Sequence, residues 1–168
     1  GGKIMIYAFL ANGFEETEAI VPIDLIRRCE KDLVTVGVGG QIIKGSHGIP
    51  VFADLEEREI VLDENLEMII LPGGMPGTIN LEKSEYVQKA VDFCVENNIP
   101  IASICAAPSI LGHKGILDGK KACCYTGYDT QLGDAIYDAD AKVCVDGNFM
   151  TARGAGVALE FGFALVEK

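Results

Sequence analysis

The segment Ser103-Ile104-Cys105-Ala106-Ala107-Pro108 puts a thiol where a short apolar strand runs into a helix with almost no loop. Small residues, Ser103 and Ala107, stand two positions to either side of Cys105. That is the layout of a nucleophile elbow, in which small neighbours permit a strained turn. Such a turn aims the sulfur out of the sheet at a helix N-terminus, where a thiol pKa falls and the reactive thiolate is favoured. The plainer reading is a buried cysteine that merely ends a strand, and the elbow layout favours the reactive one.

Two other segments carry groups that can work with a thiol. Ala11-Asn12-Gly13-Phe14-Glu15-Glu16-Thr17-Glu18 puts three carboxylates at the start of a helix, where the dipole favours negative charge. Glu15 and Glu16 suit capping and solvation. Glu18 lies one turn in, where a side chain can turn back towards the strand ends. Leu71-Pro72-Gly73-Gly74-Met75-Pro76-Gly77 follows a buried strand. Two glycines there let the backbone approach closely, and exposed amides suit an anion or a developing oxyanion. It is not a dinucleotide fingerprint, because no Gly-x-Gly-x-x-Gly opens a helix.

The remaining cysteines and histidines read as structure. No Cys-x-x-Cys pair occurs among the six cysteines, and the two histidines, His47 and His113, have no zinc spacing to them. A metal site is therefore not expected. Cys29, Cys94, Cys123, Cys124 and Cys144 are expected as small buried hydrophobes. Cys123 and Cys124, adjacent on a strand, should point to opposite faces and not bridge each other. His113 follows Cys105 by eight residues, about 12 Å along a helix, and suits a helix C-terminus. His47 falls at a hairpin turn, where a solvated ring is expected.

The elements that must position these residues follow from periodicity. Lys3–Leu10, Leu33–Val38, Glu67–Leu71, Pro100–Ile104 and Lys121–Tyr125 read as strands. Gln41–Phe52 reads as a hairpin turning at Ser46-His47-Gly48, and a second hairpin joins Ala141–Val145 to Asn148–Ala152 across Asp146-Gly147. Glu15–Cys29 reads as a helix with Pro22 inside it. Ser84–Asn97 reads as an amphipathic helix with Val87, Ala90, Val91 and Cys94 on one face. Ala107–Lys114 and Ala155–Glu167 complete the helices, with Pro108 in a first turn. Apolar strands alternating with helices imply an α/β fold: a mostly parallel sheet with helices on both faces. In open sheets of this kind ligands bind beyond the carboxyl ends of the strands, where the three loops lie.

Composition bounds the rest. A chain of 168 residues, 49% hydrophobic, fits one domain, 1–168, with a substantial core. Its 14 basic and 25 acidic residues leave a net charge of −11, which argues against nucleic-acid binding. No apolar run reaches the roughly 18 to 20 residues of a membrane helix. Nothing at the start reads as a secretory leader, so a reducing, cytoplasmic setting is expected. Gly1 and Gly2 read as residues foreign to the natural start.

Taken in order, the segments 11–18, 71–74 and 102–108, together with Thr151-Ala152-Arg153-Gly154-Ala155-Gly156, resemble the ThiJ/PfpI superfamily. Within it, the chain is similar to the branch of the parkinsonism-associated deglycase and its bacterial relatives, over nearly its whole length. The resemblance implies a flavodoxin-like three-layer sandwich and a homodimer. It implies that Cys105 is the oxidation-sensitive nucleophile, that Glu18 hydrogen-bonds the sulfur, and that the Gly74 and Ala106 amides bind an oxyanion. Gly73, Tyr125, Arg153 and His47 fall around that site. A thiolate repels an ionised carboxylate, so Glu18 is expected to be protonated and to share one proton with Cys105.

Two departures shape the functional expectation. The peptidase branch has His directly after the nucleophile, where Ala106 stands. The deglycase-like branch often has His where Tyr125 stands, and a tyrosine cannot act as a base near pH 7 without a very large shift. The resemblance implies an enzyme acting on small 2-oxoaldehydes or glycated substrates, with Glu18 moving the proton and no cofactor. The alternative is an oxidative-stress sensor or redox chaperone through oxidation of Cys105, and a cysteine peptidase ranks last.

Overall fold

The computed structural model describes residues 3–168; Gly1 and Gly2 lie outside them. Chain order begins with β1 (Met5–Ala11), α1 (Glu16–Arg28), β2 (Leu33–Val38), β3 (Ile42–Lys44), β4 (Pro50–Phe52), β5 (Leu55–Glu56) and β6 (Leu66–Leu71). Then come α2 (Gly77–Lys83), α3 (Glu85–Glu96), β7 (Ile101–Ile104), α4 (Pro108–Gly112), β8 (Lys121–Ala122) and β9 (Ile136–Tyr137). The chain closes with β10 (Val143–Asp146), β11 (Phe149–Ala152) and α5 (Ala158–Glu167).

Seven strands form one sheet in the order β10-β11-β7-β6-β1-β2-β5. All neighbours are parallel except β10 and β11. Both faces of β1 are apolar, and its alternation divides the core. Ile6, Ala8 and Leu10 pack with Ala19, Ile23 and Ile26 of α1 and Phe161 and Leu165 of α5. Tyr7, Phe9 and Ala11 pack with Leu81 of α2, Val87, Ala90, Val91 and Cys94 of α3, and Ile110 and Leu111 of α4. Helices therefore cover both faces of a mostly parallel sheet, giving the expected flavodoxin-like sandwich. No helix of the described residues is long and apolar enough to cross a membrane.

Several expected elements shrink or change. The strand expected over Lys121–Tyr125 is only β8, paired with β9 outside the main sheet. The helix expected over Ala107–Lys114 is only the five residues of α4. Residues Ala155–Val157 form a 3-10 turn before α5. Cys29, expected buried, caps the exposed end of α1. The β10–β11 hairpin pairs Asp146 with Phe149, so Gly147 and Asn148 make its turn rather than Asp146-Gly147. The elements α2, β5 and β9 carry too few residues for a periodicity to be read from sequence.

Candidate active site

Strand β7 delivers Cys105 to the carboxyl edge of the sheet. Its backbone there takes φ +66°, a left-handed conformation costly for any residue with a Cβ. Neighbours hold it in place. The Cys105 N–H donates to the Ala152 carbonyl at 2.9 Å, and the Cys105 carbonyl accepts from the Tyr125 N–H at 2.9 Å. Pro108 opens α4 directly behind. The elbow read from small residues around Cys105 is thus present as backbone geometry.

Helix α1 delivers the carboxyl. Glu15 caps it, its side chain accepting from the Thr17 N–H, so Glu18 falls in the first turn and faces the strand ends. Glu18 is 1% exposed, and its Oε1 has no hydrogen-bond partner among the described residues. Gly73 explains how it meets the cysteine. A Cβ at Gly73 would lie 2.6 Å from Glu18 Oε1, 2.7 Å from the Cys105 Cβ and 2.7 Å from the Ile104 carbonyl oxygen. Glycine is required because carboxyl, elbow and loop converge on the space a side chain would fill. Gly74 takes φ +95°, and a Cβ there would meet the Glu15 nitrogen at 2.4 Å. The loops after β1 and β6 interlock at this point, with the Glu15 N–H donating to the Gly73 carbonyl at 2.9 Å.

The electrostatics couple the pair. Burial first, then the charge of Glu15, push the Glu18 carboxyl up to about 7, against the pull of Cys105 and of the Gly73 and Ala155 N–H groups. Burial, followed by the Glu18 carboxyl, pushes the Cys105 thiol up, while the Ala106 and Gly74 N–H groups pull it down. The helix terminus was expected to lower this pKa. α4 is too short and the thiol too buried for that effect to prevail. A carboxyl with a pKa near neutrality beside a thiol fits one shared proton. The N–H groups of Ala106 and Gly74 thus both act on the sulfur.

The other expected residues separate into two groups. Tyr125 is 53% exposed and flanks Gly154, whose Cβ position lies 3.5 Å from the tyrosine ring and 3.8 Å from Glu18 Oε2. Tyr125, Arg153 and the backbone of 154–157 line an open, mostly apolar cleft of about 260 Å³. Arg153 is turned from the thiol, its guanidinium donating to the Ala139 carbonyl and its N–H to the Lys142 carbonyl. His47 lies apart from the pair, its ring 3.3 Å from Glu15 and Glu16 carboxylate oxygens. His113 ends α4 and pairs with Glu82 and Gln131.

Ligating atoms of Glu15, Glu16 and His47 lie within 4.8 Å of one another. The Glu16 oxygens are already taken up by the N–H groups of His47 and Ile49, so the cluster reads as a clamp on the hairpin. Sequence reasoning missed that clamp, and it missed Gly154 and the Ala155 amide beside Glu18. The glycines of the 151–156 segment were the only available signal.

Three-layer α/β proteins with a cysteine at such a junction form a recognisable class. The model of the DJ-1/PfpI family matches residues 3–168, and the chain belongs to that family. It is 35% identical over 161 residues to Protein DJ-1 homolog B of Arabidopsis thaliana, covering 95% of this chain but 36% of that protein. The chain thus spans about a third of that plant relative. It is 32% identical over 148 residues to Deglycase PfpI of Pyrococcus furiosus, 87% of each chain. The crystal structure of Drosophila melanogaster DJ-1beta superposes with a TM-score of 0.92 at 30% identity, covering 99% of this chain and 90% of that one. The family therefore includes members named as enzymes.

Proposed function

We propose that this protein is a cysteine-dependent enzyme acting on small 2-oxoaldehydes, or on their adducts with amines. The observation that carries the reading is a thiol held at positive φ beside a buried carboxyl whose Oε1 has no hydrogen-bond partner among the described residues. In the singly protonated pair, Glu18 takes the thiol proton as the sulfur adds to the aldehyde carbon. The carbonyl electron pair moves to oxygen, which the Gly74 and Ala106 N–H groups receive. Protonation gives a hemithioacetal. Glu18 then removes the proton from the former aldehyde carbon and returns it to the neighbouring carbonyl carbon, leaving a thioester. Water cleaves the thioester, freeing Cys105 and a 2-hydroxy acid. The sum is aldehyde plus water, with no external oxidant and no cofactor. On a carbinolamine adduct the sulfur instead displaces the amine at that carbon, the C–N bond breaking as the S–C bond forms and the thiol proton leaving with the amine, and the resulting hemithioacetal follows the same path.

A homodimer belongs to the same reading. The cross-strand partners Ile42 and Phe52 leave the outer face of the β3–β4 hairpin apolar, at 66% and 68% exposure. Sedimentation at micromolar concentration tests it.

The second reading is a redox sensor. It draws on Tyr125, which among the described residues leaves Glu18 as the carboxyl against the sulfur with no histidine beside it. Cys105 would then oxidise to a sulfenic or sulfinic acid whose oxygens are held by Glu18 and the same amides. A peptidase has the least support, since Ala106 supplies no imidazole.

The deciding experiment is lactate formation from methylglyoxal in thiol-free buffer by wild type, Cys105→Ser and Glu18→Gln. Turnover in wild type alone supports the enzyme. Turnover no higher than in the variants, from a folded protein, overturns it and leaves the sensor.

A further inference from the structure

Two cysteines away from the elbow lie against the same threonine. In the β10–β11 ladder Cys144 stands directly opposite Thr151, so their side chains share one face of the sheet. Cys123, just beyond β8, is pinned to the same threonine. Its N–H donates to Thr151 Oγ1 at 3.0 Å, and its thiol donates to the Thr151 carbonyl at 3.3 Å. Each thiol is close enough to the other to shift its titration. Both are buried, at 1% and 7% exposure, and Cys144 lies on the edge strand of the sheet.

We propose that Cys123 and Cys144 are a second redox site, which peroxide converts to an intramolecular disulfide. One thiol, as thiolate, attacks a peroxide oxygen, becoming a sulfenic acid and releasing water. The second thiolate attacks that sulfur, the S–S bond forms, and hydroxide leaves as water. Two thiols lose two electrons and one hydrogen peroxide gains them, giving a disulfide and two waters. Both side chains are gathered on Thr151, whereas Cys124 belongs to the core on the α3 side of the sheet.

Beyond burial, the charges facing Cys144 are the Asp138 carboxylate, which pushes its thiol up, and Lys121, which pulls it down. Burial pushes both up, Cys123 to about 12. Thiolate is therefore scarce near pH 7, and bridge formation should accelerate about tenfold per pH unit through pH 7–9. The bridge would staple the segment 123–144 to the edge strand. Tyr125, which holds the Cys105 carbonyl, lies in that segment. Closing a loop of this length raises the melting temperature by roughly 5–10 °C.

The test is peptide mapping of the whole native protein after hydrogen peroxide, with remaining thiols alkylated. Oxidant is added until the exposed Cys29 is consumed, which sets the dose. Trypsin places Cys123 in the peptide 122–142 and Cys144 in 143–153. The expected result is these two peptides linked, lighter by two hydrogens and separated by dithiothreitol. The link should persist in Cys124→Ser and disappear in Cys123→Ser. Recovery of both peptides as fully alkylated monomers at that dose overturns the proposal, as does a link that survives Cys123→Ser. The wild-type map needs no variant to fold, and its outcome is independent of whether Cys105 turns over an aldehyde.

Discussion

Glu16 and Glu18 stand two residues apart in the first turn of α1, both buried, and they end in opposite states. Two helical positions separate their directions by about 200°, so each meets different neighbours. Glu16 points at the β3–β4 hairpin and accepts from the N–H groups of His47 and Ile49. Burial raises its pKa, but these backbone donors and the His47 ring lower it below the usual value. Glu18 points at the strand ends, where one oxygen has no donor among the described residues and burial lifts the carboxyl to about 7. Burial alone therefore does not fix a carboxylate's charge; the supply of donors does. One region is a closed structural clamp, and the other keeps an unsatisfied oxygen beside a thiol.

The contrast can be broken most severely at the elbow. Cys105→Ser and Glu18→Gln should each lower methylglyoxal turnover by about 10³-fold or more, measured as lactate released. Turnover in wild type should rise with pH through about 7, as the paired groups lose their first shared proton. Gly73→Ala should lower turnover and cost about 3 kcal/mol of stability, because its Cβ meets the fixed Ile104 carbonyl at 2.7 Å. Denaturant unfolding would show it.

Stability against pH separates the two carboxylates with opposite signs. Glu18 has a raised pKa, so its contribution is fully present below about 4.5 and is lost as pH rises to about 7. Glu18→Gln should therefore stabilise the fold by up to about 3 kcal/mol at pH 8 and by little at pH 4.5. Glu16 has a lowered pKa, so its contribution is present above about 4.5 and is lost as pH falls through its folded value. Glu16→Gln should cost about 1–3 kcal/mol at pH 7 and progressively less in acid. Paired melting curves across pH 4–8 test both, and parallel profiles would contradict the assignment. The smallest effect is expected at His47, whose exposed ring only adds to a clamp built by backbone N–H groups. His47→Ala should change stability by about 0.5 kcal/mol or less and leave turnover unchanged.

Much of this was legible in the sequence because it is local. The small residues around Cys105 announce a tight turn, and alternating apolar strands with amphipathic helices announce a covered parallel sheet. Glu18 and Gly74 were legible through motif order. The short pieces were not, since β5 and β9 carry two residues each and α2 only seven. The gathering of Cys123 and Cys144 on Thr151 was equally hidden, because residues 21 positions apart in sequence come together only through a hairpin register.

The sequence by itself determined which residues could react and which elements would carry them, because side-chain chemistry and periodicity are properties of single segments. Tertiary structure alone decided the state of each group. Whether a carboxylate holds its proton, and whether a thiol meets a carboxyl or another thiol, depends on donors, charges and burial supplied by distant segments. Those are fixed only when the strand ends, the hairpin and the first turn of α1 come together.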